Sequence, residues 1–301
     1  ETEAVDAFGD VLPNFRHEAW FNHTIRHVVA DWKDRFRGRL TAERVHSRIL
    51  AGGRELLIWL PPGYGAEGKT RFPVLYMHDG DNAFDPMTSA ISGVDWAADE
   101  WMVRLWEEKI IPETIVVAIR HPEGFSEENE TLRDGDLSPQ LGGASYANFV
   151  ATELVRHIDT HYRTLATPEA RTLAGADLGA LNSFYTAIHY PGVFSKVMCL
   201  STSFEDVTHS PPKHALLLQA LEAEPALPKD VRMYFDYGTH GVDECYEVYH
   251  RDLGGILREK GWKDDREFAI RKIADGTHDE LSWRMRFGEA IRFLNAKNKT
   301  K

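Results

Sequence analysis

The chain carries only two cysteines, Cys199 and Cys245, too few for a disulfide framework and not at metal-site spacing. They read as two ordinary thiols or as one disulfide. No apolar run approaches about 18 residues, so a membrane span is not expected. A Lys/Arg-dense face is missing as well: 35 Lys and Arg stand against 47 Asp and Glu, for a formal net charge of −12. Nucleic acid is therefore not an expected partner, since phosphates need clustered cations. Repeats, low-complexity tracts and convincing linkers are lacking too, so nothing divides the chain into several units. What remains is ordinary globular composition, 43% hydrophobic and 27% charged over 301 residues. That length suits one large sheet wrapped by helices. The chain begins at Glu1 without Met or a signal-peptide core, which fits a processed secreted protein and a trimmed chain equally. A soluble protein is expected, cytoplasmic or secreted/periplasmic, with its oligomeric state open.

Residues 1–44 are polar with scattered aromatics (Trp20, Phe21, Trp32, Phe36) and read as a partly helical extension packed on a main domain at 45–301. From there strand and helix signals alternate. Val45–Leu50 and Glu55–Leu60 are β-rich runs around the hairpin turn signature Ala51-Gly52-Gly53-Arg54. Pro61-Pro62-Gly63 ends the second, because proline cannot donate to a ladder. Pro73–Met77, Thr114–Ile119, Arg171–Leu173, Lys196–Leu200, Arg232–Phe235 and Phe268–Ile273 are short continuous apolar runs, the pattern of strands buried on both faces. Between them, Trp96–Glu108, Ser145–Tyr162, Ala180–Tyr190, Lys213–Glu222, Tyr246–Lys260 and Leu281–Leu294 space apolar residues three and four apart, as helices do. This alternation predicts an α/β fold: a mostly parallel eight-stranded sheet with helices on both faces. Ligands of such sheets sit at the carboxyl ends of the strands.

Chemistry is sought there. Arg171–Leu173 runs straight into Ala174-Gly175-Ala176-Asp177-Leu178-Gly179-Ala180 and a helix. This is the strand–turn–helix context of a G-x-S-x-G nucleophile elbow, with aspartate where the serine stands. The turn is so sharp that side chains two before and two after the nucleophile would collide, and glycine removes them. Asp tolerates the strained backbone of the central position better than most residues, and the helix N-terminus favours negative charge there. Downstream, Asp243 follows the strand Arg232–Phe235 and His278 follows Phe268–Ile273. Nucleophile, acid, histidine is the chain order of α/β-hydrolases, so Asp243 is expected to orient His278 and His278 to face Asp177. Glu244 and Asp236 lie close enough to compete with Asp243. Ser145, in Gly143-Ala144-Ser145-Tyr146, imitates a nucleophile but follows a loop instead of a strand.

Four stretches carry a family likeness: Arg71 through Asp85, Ile158-Asp159-Thr160-His161-Tyr162-Arg163-Thr164, Tyr190-Pro191-Gly192-Val193-Phe194, and Gly276-Thr277-His278-Asp279-Glu280-Leu281-Ser282-Trp283. With them the chain, from roughly Val45 to Leu294, resembles the esterase D-like, feruloyl-esterase-like and enterochelin-esterase-like α/β-hydrolases. The resemblance implies a hydrolase acting on small-molecule carboxylic esters, without cofactor or metal. It implies an oxyanion hole from backbone N–H groups of Leu178 and of the loop around Asp81. It further implies a pocket lined by Asn82, Trp96 and Trp283. The acidic loop Asp79-Gly80-Asp81-Asn82 with Asp85 lacks the twelve-residue spacing and terminal Glu of an EF-hand, and the oxyanion loop accounts for it.

Position 177 departs from that pattern, and the acyl-serine mechanism does not transfer. Three outcomes differ chemically. Water can attack an ester directly, with Asp177 or His278 as base, giving altered or reduced ester hydrolysis. A carboxylate can instead attack an sp3 carbon, the Asp–His–Asp chemistry of epoxide and alkyl-halide hydrolases. Or the pocket can be a catalytically silent binding site, or an inactivated variant of a serine esterase. In every case Asp177 should hold His278 as imidazolium, which opposes a base role near neutral pH.

Overall fold

The computed structural model describes residues 37–65, 68–89, 93–122, 132–204, 216–224 and 226–296. Eight strands form one sheet: β1 (Arg39–Val45), β2 (Arg54–Leu60), β3 (Val74–Met77), β4 (Ile115–Ile119), β5 (Arg171–Ala176), β6 (Lys196–Leu200), β7 (Arg232–Gly238) and β8 (Phe268–Ile273). Their spatial order is β1-β2-β4-β3-β5-β6-β7-β8. β2 runs antiparallel to both β1 and β4, and every other pairing is parallel.

Side-chain alternation divides the core between the two sheet faces. Leu57, Trp59, Leu75, Met77, Val116 and Ala118 point into one apolar cluster. Their neighbours Leu56, Ile58, Val74, Tyr76, Ile115 and Val117 point into another, as a period of two requires. Helices α1 (Ala98–Glu107) and α8 (Glu280–Asn295) cover the first face through Met102, Leu105, Phe287 and Ile291. The second face is covered by α3 (Gly143–Asn148), a π-helical stretch (Phe149–Leu154) and α4 (Val155–His161), which run on as one rod. Farther along that face lie α5 (Leu178–His189), α6 (Leu216–Ala223) and α7 (Glu247–Glu259), through Phe184, Leu221, Leu253 and Leu257. Cys199 is buried in β6 and Cys245 is exposed, both as free thiols. Among the described residues no helix is long and apolar enough to cross a membrane.

Two differences from the sequence expectation have physical causes. The first strand is Arg39–Val45, not Val45–Leu50, so the sheet begins inside the segment expected to be an extension; residues 1–36 lie outside the described residues. β1 is an edge strand with charged residues at exposed positions, Arg39 and Arg44, which hides its apolar period. The β-rich run after it is pulled off the ladder by Ser47, whose Oγ accepts from Ile49 N (2.9 Å) and Leu50 N (2.8 Å). The second is α2 (Leu132–Leu137), a six-residue helix that contains Gly135 and no apolar period.

The order β4-β3-β5 means the chain leaves β3 to one side and returns to β5 on the other. The crevice at that reversal lies between the loops after β3 and β5. His78 N donates to Ala174 O (2.9 Å), tying the two loops together.

Candidate active site

Asp177 occupies the tip of the turn between β5 and α5 with φ 55° and ψ −124°, a strained conformation for a residue with a Cβ. Its glycine neighbours are sterically required. A Cβ on Gly175 would come within 2.3 Å of the Gly179 carbonyl carbon, and one on Gly179 within 3.1 Å of the His78 Cβ. Backbone bonds fix the turn, with Asp177 N donating to Leu200 O (3.0 Å) and Ser203 N to Asp177 O (3.3 Å).

His278 arrives from the loop after β8. Asp279 caps α8 by accepting from Ser282 N at 2.9 Å, so the histidine is held one residue before the helix cap. Asp243 comes from the 3₁₀ segment Gly241–Tyr246 after β7. The structure brings the three together. His278 Nδ1 lies 2.7 Å from Asp243 Oδ1, and His278 Nε2 lies 3.5 Å from Asp177 Oδ1. The competitors stand elsewhere: Asp236 is buried on Arg286 (3.0 Å) and Glu244 faces solvent. The Asp177 and His278 side chains are each 21% exposed, enough for a substrate to reach, whereas Asp243 is fully buried.

A further cation enters from α2. Arg133 grips Asp79 with two bonds, Nε to Oδ1 at 2.6 Å and Nη2 to Oδ2 at 2.9 Å, and its Nη1 donates to Asp177 Oδ2 at 3.3 Å. Asp177 thus lies between a guanidinium and an imidazole. Burial acts to raise its pKa, yet His278 and Arg133, with help from the Leu178 N–H, hold it below the usual carboxylate value. Burial likewise acts against imidazolium, but Asp177 and Asp243 outweigh it and raise His278 to about 9. Asp243 is lowered against its burial by His278, the Ser201 hydroxyl and the Gly238 N–H. Near neutral pH the resting site is carboxylate, imidazolium, carboxylate.

Leu178 opens α5 directly after Asp177, and Asp81 lies in the 3₁₀ turn Gly80–Asn82 beyond β3. The Asp81 side chain is buried and ion-paired with Arg120 and with His121 Nδ1 (3.1 Å). Asn82, Trp96 and Trp283, expected as pocket walls, are all buried. Asn82 Nδ2 donates to Glu280 Oε1 (3.3 Å), and its Oδ1 accepts from Ser89 Oγ (3.1 Å). Trp96 packs edge-on against Trp283 (5.8 Å), which in turn packs edge-on against the His278 ring (5.0 Å). Beyond Trp96, a cavity of about 320 Å³ lies between α1 and α8, lined among others by Ala97, Trp101, Leu281 and Met285. Arg133, Ser201 and Arg286 had no motif to announce them; their neighbours are distant in sequence and meet only in the fold.

An elbow at the reversal of a mostly parallel sheet, followed by acid and histidine at later strand ends, defines an α/β-hydrolase. The chain belongs to the esterase family whose description reads "Putative esterase", and that family's model matches residues 47–294. It is 22% identical over 262 residues to the uncharacterized protein YbbA of Bacillus subtilis, covering 83% of this chain and 96% of YbbA. To the uncharacterized protein YjcH of the same organism it is 25% identical over 220 residues, covering 73% and 79%. Among solved structures it is similar to a ferulic acid esterase (TM-score 0.68, 17% identity, 86% of this chain and 98% of that one). It also resembles the enterobactin esterase of Shigella flexneri (TM-score 0.63, 19% identity), covering 87% of this chain and 61% of that chain. At these identities the structural likeness speaks for the fold alone.

Proposed function

We propose that this chain hydrolyses small-molecule carboxylic esters by direct attack of water, with Asp177 as general base and His278 as general acid. The observation that carries it is the line Asp177–His278–Asp243, with the His278 ring between two carboxylates at 3.5 and 2.7 Å. In this scheme Asp177 accepts a proton from water as the water oxygen bonds to the ester carbon. The oxyanion is held by the N–H groups of Leu178 and Asp81. On collapse, His278 Nε2–H protonates the departing alkoxide, and the carboxylic acid of Asp177 then returns its proton to the imidazole. No acyl-enzyme forms, because a carboxylate attacking an ester would give a mixed anhydride.

The same geometry makes the reaction slow. A carboxylate with a depressed pKa is a weak base; Arg133 holds it in its resting position, and the Leu178 N–H, which bonds Asp177 at rest, must leave it to reach the oxyanion. Family membership supports the esterase class.

The test is turnover of 4-nitrophenyl acetate and an alkyl acetate by the native chain, His278→Ala and Asp177→Ser. The native chain should turn over without a burst, and His278→Ala should cost the alkyl ester roughly 10²-fold or more. Asp177→Ser should be faster and show an acyl-enzyme burst. Turnover by Asp177→Ser alone would mean that the native site is a silent pocket. Failure of both folded proteins on every ester would end the esterase assignment.

A further inference from the structure

Behind Asp243 lies a buried polar cluster that the proposed chemistry does not consume. Ser201 directly follows β6 with φ 43°, in the left-handed region that a residue with a Cβ seldom occupies. Its Oγ touches three groups: Asp243 Oδ2 (2.6 Å), Trp283 Nε1 (2.9 Å) and Arg286 Nη2 (3.1 Å). The last two can only donate, so both lone pairs of the hydroxyl are used and its single proton must go to Asp243. With the Gly238 N–H also on Oδ2 (2.7 Å), the carboxylate is pinned with Oδ1 towards His278 Nδ1. The direction of every bond follows from donor chemistry alone.

Arg286 is 4% exposed at its side chain and spans the pieces that carry the site. It donates to Asp236 Oδ1 (3.0 Å), to Ser201 Oγ, and to the carbonyl of Thr277 (3.0 Å), the residue before His278. Its Nε donates to Ser282 O (3.1 Å) on the helix that follows. Asp236 also accepts from Ser201 N (3.1 Å). One guanidinium therefore couples the ends of β6, β7 and β8.

We propose that Ser201 and Arg286 are positioning residues: Ser201 aims the Asp243 carboxylate, and Arg286 holds the His278 loop and Ser201 in register with it. Neither touches the reacting atoms. The consequence is a single histidine orientation, Nδ1–H to Asp243 and Nε2 to Asp177. This rests on the hydrolytic reading above for its kinetic arm and is independent of it for its spectroscopic arm.

The experiment compares Ser201→Ala, Arg286→Lys and the double variant Arg286→Met/Asp236→Asn, which avoids stranding a buried charge. The first readout is the downfield proton resonance of His278 Nδ1–H, assigned by its loss in His278→Gln. In Ser201→Ala and the double variant this resonance should broaden or vanish through faster exchange, while Arg286→Lys retains it. The second is ester hydrolysis, where kcat should fall roughly ten- to hundred-fold at nearly constant KM, the scale expected when an orienting partner is lost. An unchanged resonance in folded Ser201→Ala, or a loss confined to melting temperature with kcat intact, overturns the proposal. If the native chain proves inactive on esters, the resonance alone decides the positioning role, and the function fails separately.

Discussion

At the residue scale, Asp177 changes what its neighbours are. A serine at the elbow would leave His278 beside one carboxylate; Asp177 supplies a second, 3.5 Å from Nε2, and the histidine rises to about 9. Asp177→Ser should therefore lower the His278 pKa by roughly a unit or more, the usual effect of removing an opposite charge at this range. An NMR titration of the ring protons reads this directly, and an unmoved midpoint would mean Asp243 alone sets the value. Arg133 gives a second expectation. It is the partner of Asp79, whose carboxylate is nearly buried, so Arg133→Met should destabilise the fold by about 3 kcal/mol, as breaking a buried pair does. Arg133→Met/Asp79→Asn should recover much of that loss in urea unfolding, because no charge is then stranded; equal losses in both variants would contradict the pairing. Asp177, His278 and Asp243 were legible in the sequence because each lies in the connection that follows a strand signal and their chain order has few alternatives. Arg133 was not, since its significance comes from contacts 54 and 44 residues away.

At the scale of elements, the elbow is a geometric necessity that small residues make possible. Gly175 is the next-to-last residue of β5, and a Cβ there would lie 2.4 Å from the Gly179 oxygen. Backbone cannot yield as a flexible side-chain tip does. Gly175→Ala should therefore cost more than about 2 kcal/mol and disorder the Asp177 turn. Gly255, in α7 with open space around it, is the control: Gly255→Ala should be neutral or stabilising in thermal melts. The buried strands and long helices were legible because doubly buried strands read as continuous apolar runs. β1 was not, because an edge strand with charges on its open side resembles a polar linker. Helix α2 was not either: six residues with a central glycine carry no period, and packing against α3 and α5 holds them instead.

For the whole molecule, the sheet brings carboxylates and an imidazole from three separate strand ends into one charge array, and that array makes stability depend on pH. His278 is raised from 6.5 to about 9, so its contribution is full below about 6.5 and is lost as pH rises through 9. Asp177 and Asp243 are lowered from 3.8, so theirs is full above that value and is lost as pH falls further. The three overlap between pH 3.8 and 6.5, where the imidazolium and both carboxylates are charged in the folded state. A rise of this size corresponds to about 3 kcal/mol, shared between the two carboxylates. His278→Gln removes the cation and leaves both carboxylates facing one another, so the gap in unfolding free energy between native protein and variant should be widest in that window. It should narrow steadily from pH 6.5 to 9.5 in urea titrations at matched ionic strength. A gap that stays constant across pH 9 would mean that His278 does not titrate there and that the two carboxylates do not raise it as the array requires.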